Sequence, residues 1–92
     1  MTELNSMRNI GRMITQKLKS VDISTAEELK QVGSKEAFAR LKMHYPNTCL
    51  VTLYSLEGAV SDTEYNQLSE DMKQDLKAFS DNLTRALPAS GQ

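Results

Sequence analysis

One segment of the chain, Asn47 to Val60 (NTCLVTLYSLEGAV), is more densely apolar than any other. Three polar residues interrupt it: Thr52, Ser55 and Glu57. These positions are too few to provide the polar half of an amphipathic helix. A helix that is apolar nearly all round must be enclosed by other elements. The pattern therefore predicts a central helix that the rest of the chain surrounds.

The start of this central helix is predicted at Pro46 and Asn47. The residue before a proline is driven out of the α region, and asparagine is a good N-cap. A buried strand is the alternative, since Val51, Thr52 and Tyr54 favour sheets. However, no hairpin or partner strand is visible elsewhere in the sequence. We therefore favour the helix.

The N-terminal segment predicts one short helical turn followed by a longer helix. Residues 2–7 form the turn, with Leu4 and Met7 three positions apart and facing the core. Apolar residues then recur at helical spacing from about Ile10 to Lys19. Asn9 is the expected N-cap of this helix.

The next segment predicts two helices separated by a glycine. Ser24 or Thr25 begins a helix over Thr25–Val32, because each hydroxyl stands three residues before a glutamate, as in a capping box. Gly33 is expected to end this helix in a left-handed conformation, and Ser34 to cap the one that follows. The inward stripe of that following helix is Ala37, Phe38, Leu41 and Tyr45.

The C-terminal segment predicts a polar loop and a long amphipathic helix. Residues 61–67 form the loop, and the ring of Tyr65 is expected to fold back on the core. Ser69 caps the helix, whose apolar stripe is Leu68, Met72, Leu76, Phe79 and Leu83. Residues 88–92 are expected to be a frayed tail. The prediction is one all-α domain over residues 1–92, ordered over 8–84, with five or six short helices packed around the central one.

Length and composition agree with a small intracellular domain. A chain of 92 residues buries roughly 60–65% of its unfolded surface without needing disulfides or metal. The single cysteine, Cys49, lies in the apolar segment and is expected to be a small buried hydrophobe. No signal peptide and no apolar run long enough to span a bilayer occurs. We therefore expect a soluble, cytoplasmic protein.

Charge is unevenly distributed although the net charge is only −1. Residues 1–45 contain eight Lys or Arg against five Asp or Glu, whereas residues 46–92 contain three against seven. A pI near 5.8 is far from that of a dedicated nucleic-acid-binding protein. Six cations either extend a basic surface or are simply solvated beside neighbouring glutamates. They are Lys17, Lys19, Lys30, Lys35, Arg40 and Lys42.

Candidate chemistry in the sequence is sparse. His44 has no second histidine or carboxylate at ligand spacing, which argues against a metal site. Cys49 with His44 would resemble a nucleophile and base, but Pro46 separates them and the thiol is expected to be buried. Asp71 and Asp75 share a helical face that fits either a cation or an ordinary acidic surface. We therefore predict no enzyme activity, no cofactor and no metal.

The most specific candidate site is the turn before the first long helix, at Arg8, Asn9, Gly11 and Arg12. A helix start offers free amides to a phosphate, a glycine lets the backbone come close, and two guanidiniums can form bidentate bonds. These four residues are the predicted nucleic-acid-binding residues. In the competing interpretation the turn is structural, Gly11 allows two helices to pack closely, and the arginines are only solvated.

Several motifs, taken in order, resemble the C-terminal domain of the Sxy/TfoX family of bacterial competence regulators. They are N-I-G at residues 9–11, I-S-T-A-E-E-L at 23–29, G-S-K-E-A-F at 33–38, L-Y-S-L-E-G-A at 53–59 and N-x-L at 66–68. The resemblance extends from about Ser6 to Phe79. It implies a small helical domain related to helix-hairpin-helix modules. One feature differs, because Asn9 replaces the first of two glycines found in DNA-binding hairpins of that type.

The resemblance also implies a function and partners. Members of the family help to switch on genes for DNA uptake, acting with the cyclic-AMP receptor protein. They also have an α/β domain ahead of this one, so a chain that starts with Met1 is expected to be a free-standing version. We expect a regulatory module that contacts transcription proteins and, weakly, DNA. The alternative is a purely protein-binding adaptor, able to homodimerise, without DNA contact.

Overall fold

The computed structural model describes residues 3–86, except for the side chain of Ala86. Five α-helices follow one another in this range: α1 (Arg12–Ser20), α2 (Ala26–Val32), α3 (Ser34–His44), α4 (Leu50–Ser61) and α5 (Glu70–Ala86). Two 3-10 turns, Leu4–Ser6 and Tyr65–Gln67, precede α1 and α5. Within the described residues no strand forms, and one isolated bridge joins Glu3 to Thr25. The all-α prediction is confirmed.

The core lies where α4 packs against α3 and α5. Nine large apolar side chains of the core are at most 1% exposed: Leu4, Leu18, Ile23, Leu29, Phe38, Leu41, Leu53, Leu56 and Leu76. Burying one such side chain fully contributes about 1.5–3 kcal/mol relative to leaving it in water. The predicted central helix is therefore correct, although Val51 near its start remains 50% exposed.

Local signals account for most helix boundaries. Thr25 accepts a hydrogen bond from the amide of Glu28, and the Glu28 carboxylate accepts one from the Thr25 amide, so the predicted capping box is present. Ser69 Oγ accepts from the Met72 amide at the start of α5. Gly33 has a φ of +92°, as expected for the glycine that ends α2. Its ψ of 158° turns the chain directly into α3.

Two aspartates close helices by adopting left-handed conformations. Asp22 follows α1 with φ 68°, and Asp62 follows α4 with φ 56°. After α4, the amide of Thr63 donates to the Gly58 carbonyl at 2.7 Å, and that of Asp62 donates to Ala59 at 3.3 Å. This pair of bonds is the Schellman arrangement that satisfies the last carbonyls of a helix. It also sets the direction in which the chain leaves α4.

Four local predictions were wrong. Helix α1 begins at Arg12 rather than Ile10, because Asn9 has φ 67° and bonds across the fold instead of capping. Ser34 does not cap α3, since its hydroxyl donates to Glu57 on α4 at 2.6 Å. Helix α4 begins at Leu50, three residues after the predicted Asn47 cap. The Tyr65 ring is 41% exposed, and Leu68 packs against the core near it instead. The predicted tail at 88–92 lies outside the described residues.

Candidate functional site

Arg8, the first residue of the predicted phosphate site, is held by two carboxylates from the loop after α4. Its Nε donates to Asp62 Oδ1 at 3.0 Å, and its Nη1 donates to Glu64 Oε2 at 2.9 Å. The hydrogen bond to Glu64, followed by that to Asp62, raises the pKa of the Arg8 guanidinium. About half of the Arg8 side chain is exposed, so water screens both pairs. A phosphate at Arg8 would therefore have to compete with two carboxylates that already compensate the charge of the guanidinium.

Asn9 is also occupied within the fold. Its Nδ2 donates to the carbonyl of Thr63 at 2.9 Å, and its Oδ1 accepts from the amide of Tyr65 at 3.3 Å. Asparagine tolerates the left-handed backbone found here better than most residues do. One side chain thus ties the turn before α1 to the loop after α4, which lies more than fifty residues away in sequence.

Gly58 on α4 lies directly against Asn9. A Cβ at position 58 would overlap Asn9 Nδ2 and the Thr63 carbonyl oxygen, and would lie 3.4 Å from the Tyr65 amide. Glycine is therefore required because another part of the chain approaches, and not because of its own backbone angles. We call Asn9, Gly58, Thr63 and the Tyr65 amide the loop junction.

The other two predicted residues are placed differently. Gly11 is the N-cap of α1, with extended angles of φ −97° and ψ −174° that any residue adopts. No atom lies within 4 Å of where its Cβ would be, so Gly11 does not allow close packing. Arg12 is exposed on the first turn of α1, which has no side-chain cap. The four predicted residues are thus adjacent, but Arg8 and Asn9 bond to the loop after α4, whereas Gly11 and Arg12 are exposed at the start of α1.

Residues 1–80 match the family described as the TfoX C-terminal domain. The chain belongs to this family. It is also similar to two crystal structures from Listeria monocytogenes. One is of an uncharacterized protein, with 41% identity, a TM-score of 0.87, and coverage of 89% of this chain and 93% of that one. The other is of a protein of unknown function, with 42% identity, a TM-score of 0.85, and coverage of 87% and 99%. The comparison with curated proteins found no match.

Several sequence marks of the TfoX C-terminal domain have structural roles in this chain. Asn9 of N-I-G and Gly58 of L-E-G-A meet in the loop junction, and Thr25 with Glu28 forms the capping box. Sequence reasoning missed the partners Asp62, Thr63 and Glu64. The available signal was Gly58 itself, because an isolated glycine within an apolar helix indicates a packing or functional constraint.

Cys49 contradicts the expectation of a buried thiol. It is exposed and is the N-cap of α4. Its Sγ lies 3.8 Å from the Thr52 hydroxyl. The hydrogen bond from that hydroxyl, followed by one from the Thr52 backbone, lowers the pKa of the Cys49 thiol. Within the described residues its side chain contacts the Thr52 hydroxyl, and His44 is not among its hydrogen-bond partners.

Three of the six cations of the predicted basic surface are engaged inside the TfoX C-terminal domain. Lys35 pairs with Asp75 at 2.7 Å, and Arg40 pairs with Glu36 at 3.2 Å. Lys42 Nζ donates to the Thr48 carbonyl at 2.8 Å. The remaining cations of that surface are Lys17 and Lys19 on α1 and Lys30 on α2.

Neither a metal site nor a membrane-spanning helix is found in the described part of the chain. No group of three or more His, Cys, Asp or Glu side chains within residues 3–86 converges so as to hold an ion. Over the same residues, no helix combines the length and apolar character that crossing a bilayer requires. Asp75, one member of the predicted acidic pair, instead bonds to Lys35.

Proposed function

We propose that this TfoX C-terminal domain is a non-catalytic regulatory module that acts by binding another protein. Its contact with DNA, where one occurs, is weak. The observation that carries this proposal is the engagement of Arg8 and Asn9 within the fold. Half of the predicted phosphate site is thereby committed to holding two loops together.

The energetic argument follows from these contacts. A phosphate that approaches Arg8 would meet a guanidinium whose charge Asp62 and Glu64 already compensate, and both carboxylates would repel the phosphate. Reaching Asn9 would break both of its bonds within the loop junction. The turn before α1 is therefore poorly suited to bind a phosphate, whereas a protein partner can bind the outer surfaces of the domain without breaking these contacts.

The family supports the regulatory part of the proposal. As the resemblance to competence regulators implies, we propose that the partner belongs to the transcription machinery, with a protein of the cyclic-AMP receptor class as the first to test. We propose that the complex forms in the cytoplasm and controls genes for DNA uptake.

Crosslinking in the native cell, followed by retrieval of the tagged chain, tests this function. The expected result is a transcription protein that the purified chain also binds directly. Deletion of the gene should lower the transcripts of DNA-uptake genes, and Leu53→Ala, which disrupts the core, should have the same effect. The proposal would be contradicted if no retrieved protein binds the purified chain and the transcripts of DNA-uptake genes do not change.

A second candidate, weak DNA binding, rests on a different observation. Arg12 and the uncapped start of α1 are exposed, so a small number of phosphate contacts remains available there. Fluorescence anisotropy with a labelled duplex distinguishes the two functions. Tight binding that survives moderate salt would favour DNA over protein.

A further inference from the structure

Helix α1 has an unusual charge pattern for this fold. It contains Arg12, Lys17 and Lys19 but no carboxylate, whereas each of the other four α-helices contains at least one. The ion pairs among the described residues involve other cations, so these three have no carboxylate partner there. The solvent side of α1 is therefore a region of uncompensated positive charge.

Spacing places these cations on one continuous surface. At 3.6 residues per turn, the outer side of α1 presents Arg12, Met13, Gln16, Lys17, Lys19 and Ser20, while Leu18 faces the core. We call these six residues the α1 face.

An aromatic ring joins the α1 face to the end of α3. The ammonium of Lys17 lies over the ring of Tyr45, 5.1 Å from its centroid. The Tyr45 hydroxyl lies within hydrogen-bonding distance, 2.8 Å, of Ser20 Oγ. These two contacts hold Tyr45 against α1, so the exposed surface continues from Ser20 onto the ring of Tyr45.

Two exposed methionines belong to the same region, one on α1 and one near the end of α3. Met13 is 69% exposed and Met43 is 70% exposed, which makes them the most exposed large apolar side chains that the structure describes. Met13, Lys17 and Ser20 follow one line along the helix, and Met43 lines a cleft of about 430 Å³ with Ser20 and Val21. Methionine adapts its shape to apolar partners and is frequent on surfaces that bind varied proteins.

The charged groups that line the cleft add little net charge to the α1 face. Asp22 and Arg40 both line it, and Arg40 has Glu36 as its partner. His44 completes the lining. The cations of α1 therefore remain the dominant charge that an approaching partner meets.

We infer that the α1 face and the adjoining cleft bind a protein segment that carries both acidic and apolar side chains, such as an acidic amphipathic helix. The carboxylates complement Arg12, Lys17 and Lys19, and the apolar side chains cover Met13, Met43 and the accessible part of Tyr45. A nucleic-acid backbone would use the cations but leave the methionines uncovered. The inference rests on the proposed function and identifies the surface and the partner's chemistry.

The direct test uses a fluorescent amphipathic peptide with glutamates on one face and leucines on the other. We expect it to bind the whole chain and to shift the NMR amide signals of α1 and of residues 43–45. Peptides with glutamine for glutamate, or serine for leucine, should bind at least about tenfold more weakly, since each lacks one half of the complementarity.

Charge-reversal variants locate the site. Arg12→Glu with Lys19→Glu should weaken binding of the acidic peptide by about tenfold or more. Lys30→Glu with Arg85→Glu is the matched control, because it makes the same charge change on α2 and α5 and should leave binding unchanged. Met13→Gln with Met43→Gln should weaken binding without changing its salt dependence. Circular dichroism confirms that all three variants are folded.

Four results would overturn the inference. Three concern binding: no peptide binding, equal loss in the control variant, and a duplex DNA that binds the α1 face more tightly than the peptide does. The fourth is self-association that Arg12→Glu with Lys19→Glu abolishes, since the occupant would then be a second copy. Retrieval from cells separates this inference from the proposed function. A partner recovered equally by the parent and that variant leaves the function standing and refutes only the surface.

Discussion

Replacement of Gly58 by alanine should destabilise the domain, although the same change within an ordinary helix stabilises it. Alanine is preferred to glycine in helix interiors by about 1 kcal/mol. At this position, however, the new Cβ would overlap the side-chain amide of Asn9 and the carbonyl oxygen of Thr63. The Thr63 carbonyl belongs to the backbone, so rotation of one side chain does not relieve the contact.

The expected loss is worked from the contacts that must change. Inserting a methyl group into a closely packed site costs about 1–3 kcal/mol. If Asn9 is displaced, its bonds to Thr63 and Tyr65 are weakened at about 0.5–1.5 kcal/mol each. After the gain in helix preference is subtracted, the free energy of unfolding should fall by about 1–5 kcal/mol.

Urea unfolding followed by circular dichroism measures this loss, with Gly11→Ala as the matched control. Position 11 has extended backbone angles and open space around it, so that change should cost no more than about 1 kcal/mol, which is the N-cap preference for glycine over alanine. Combining Asn9→Ala with Gly58→Ala should cost less than the two single losses added together, because the shared contact is counted only once. A Gly58→Ala variant as stable as the parent, or equal losses at positions 11 and 58, would refute the loop junction as a packing constraint.

Three further outcomes are expected. Leu53→Ala should lower the free energy of unfolding by about 2–5 kcal/mol because the side chain is fully buried. A loss below about 1 kcal/mol, obtained from the urea midpoint, would place Leu53 outside the core. Cys49 should react with a thiol reagent in the folded state, since its lowered pKa increases the thiolate fraction at neutral pH. Thr52→Val should raise that pKa and slow labelling, Thr52→Ser should preserve the rate, and labelling only after unfolding would contradict the exposed thiol. In fluorescence anisotropy with duplex DNA, Arg12→Ala should weaken binding more than Arg8→Ala does. The slope of log K against log salt should be about −2 to −3 for two or three phosphates. Equal effects of the two variants would show that Arg8 contacts DNA despite its ion pairs with Asp62 and Glu64.

The loop junction changes how the sequence marks of the family are interpreted. A short N-I-G turn before a basic helix suggests phosphate binding when the sequence is considered alone. In the fold, Asn9 instead joins two loops, and Gly58 provides the space for it. The phosphate contact stays a prediction. Its accessible part is Arg12, which also belongs to the α1 face, so variants at Arg12 bear on both interpretations.

The sequence by itself determined the helical class, most of the helix boundaries and the family. These properties depend on residues three to five positions apart, such as Thr25 with Glu28 in the capping box, or the stripe of α5 around the buried Leu76. Hydrogen bonding and side-chain contact at that separation are built into helix geometry, so periodicity and capping chemistry suffice to predict them.

The tertiary structure alone decided which of the candidate residues are available. Arg8 meets Asp62 and Asn9 meets Thr63 across fifty-four positions, and no local pattern encodes such a pairing. Cys49 belongs to the most apolar segment of the chain, yet it is exposed because it lies at the very start of α4. Hydrophobicity predicts that a segment is buried, but burial of each residue depends on which neighbours the folded chain brings against it. Whether a charged group or a thiol can contact a ligand depends on those long-range contacts, which only the tertiary structure shows.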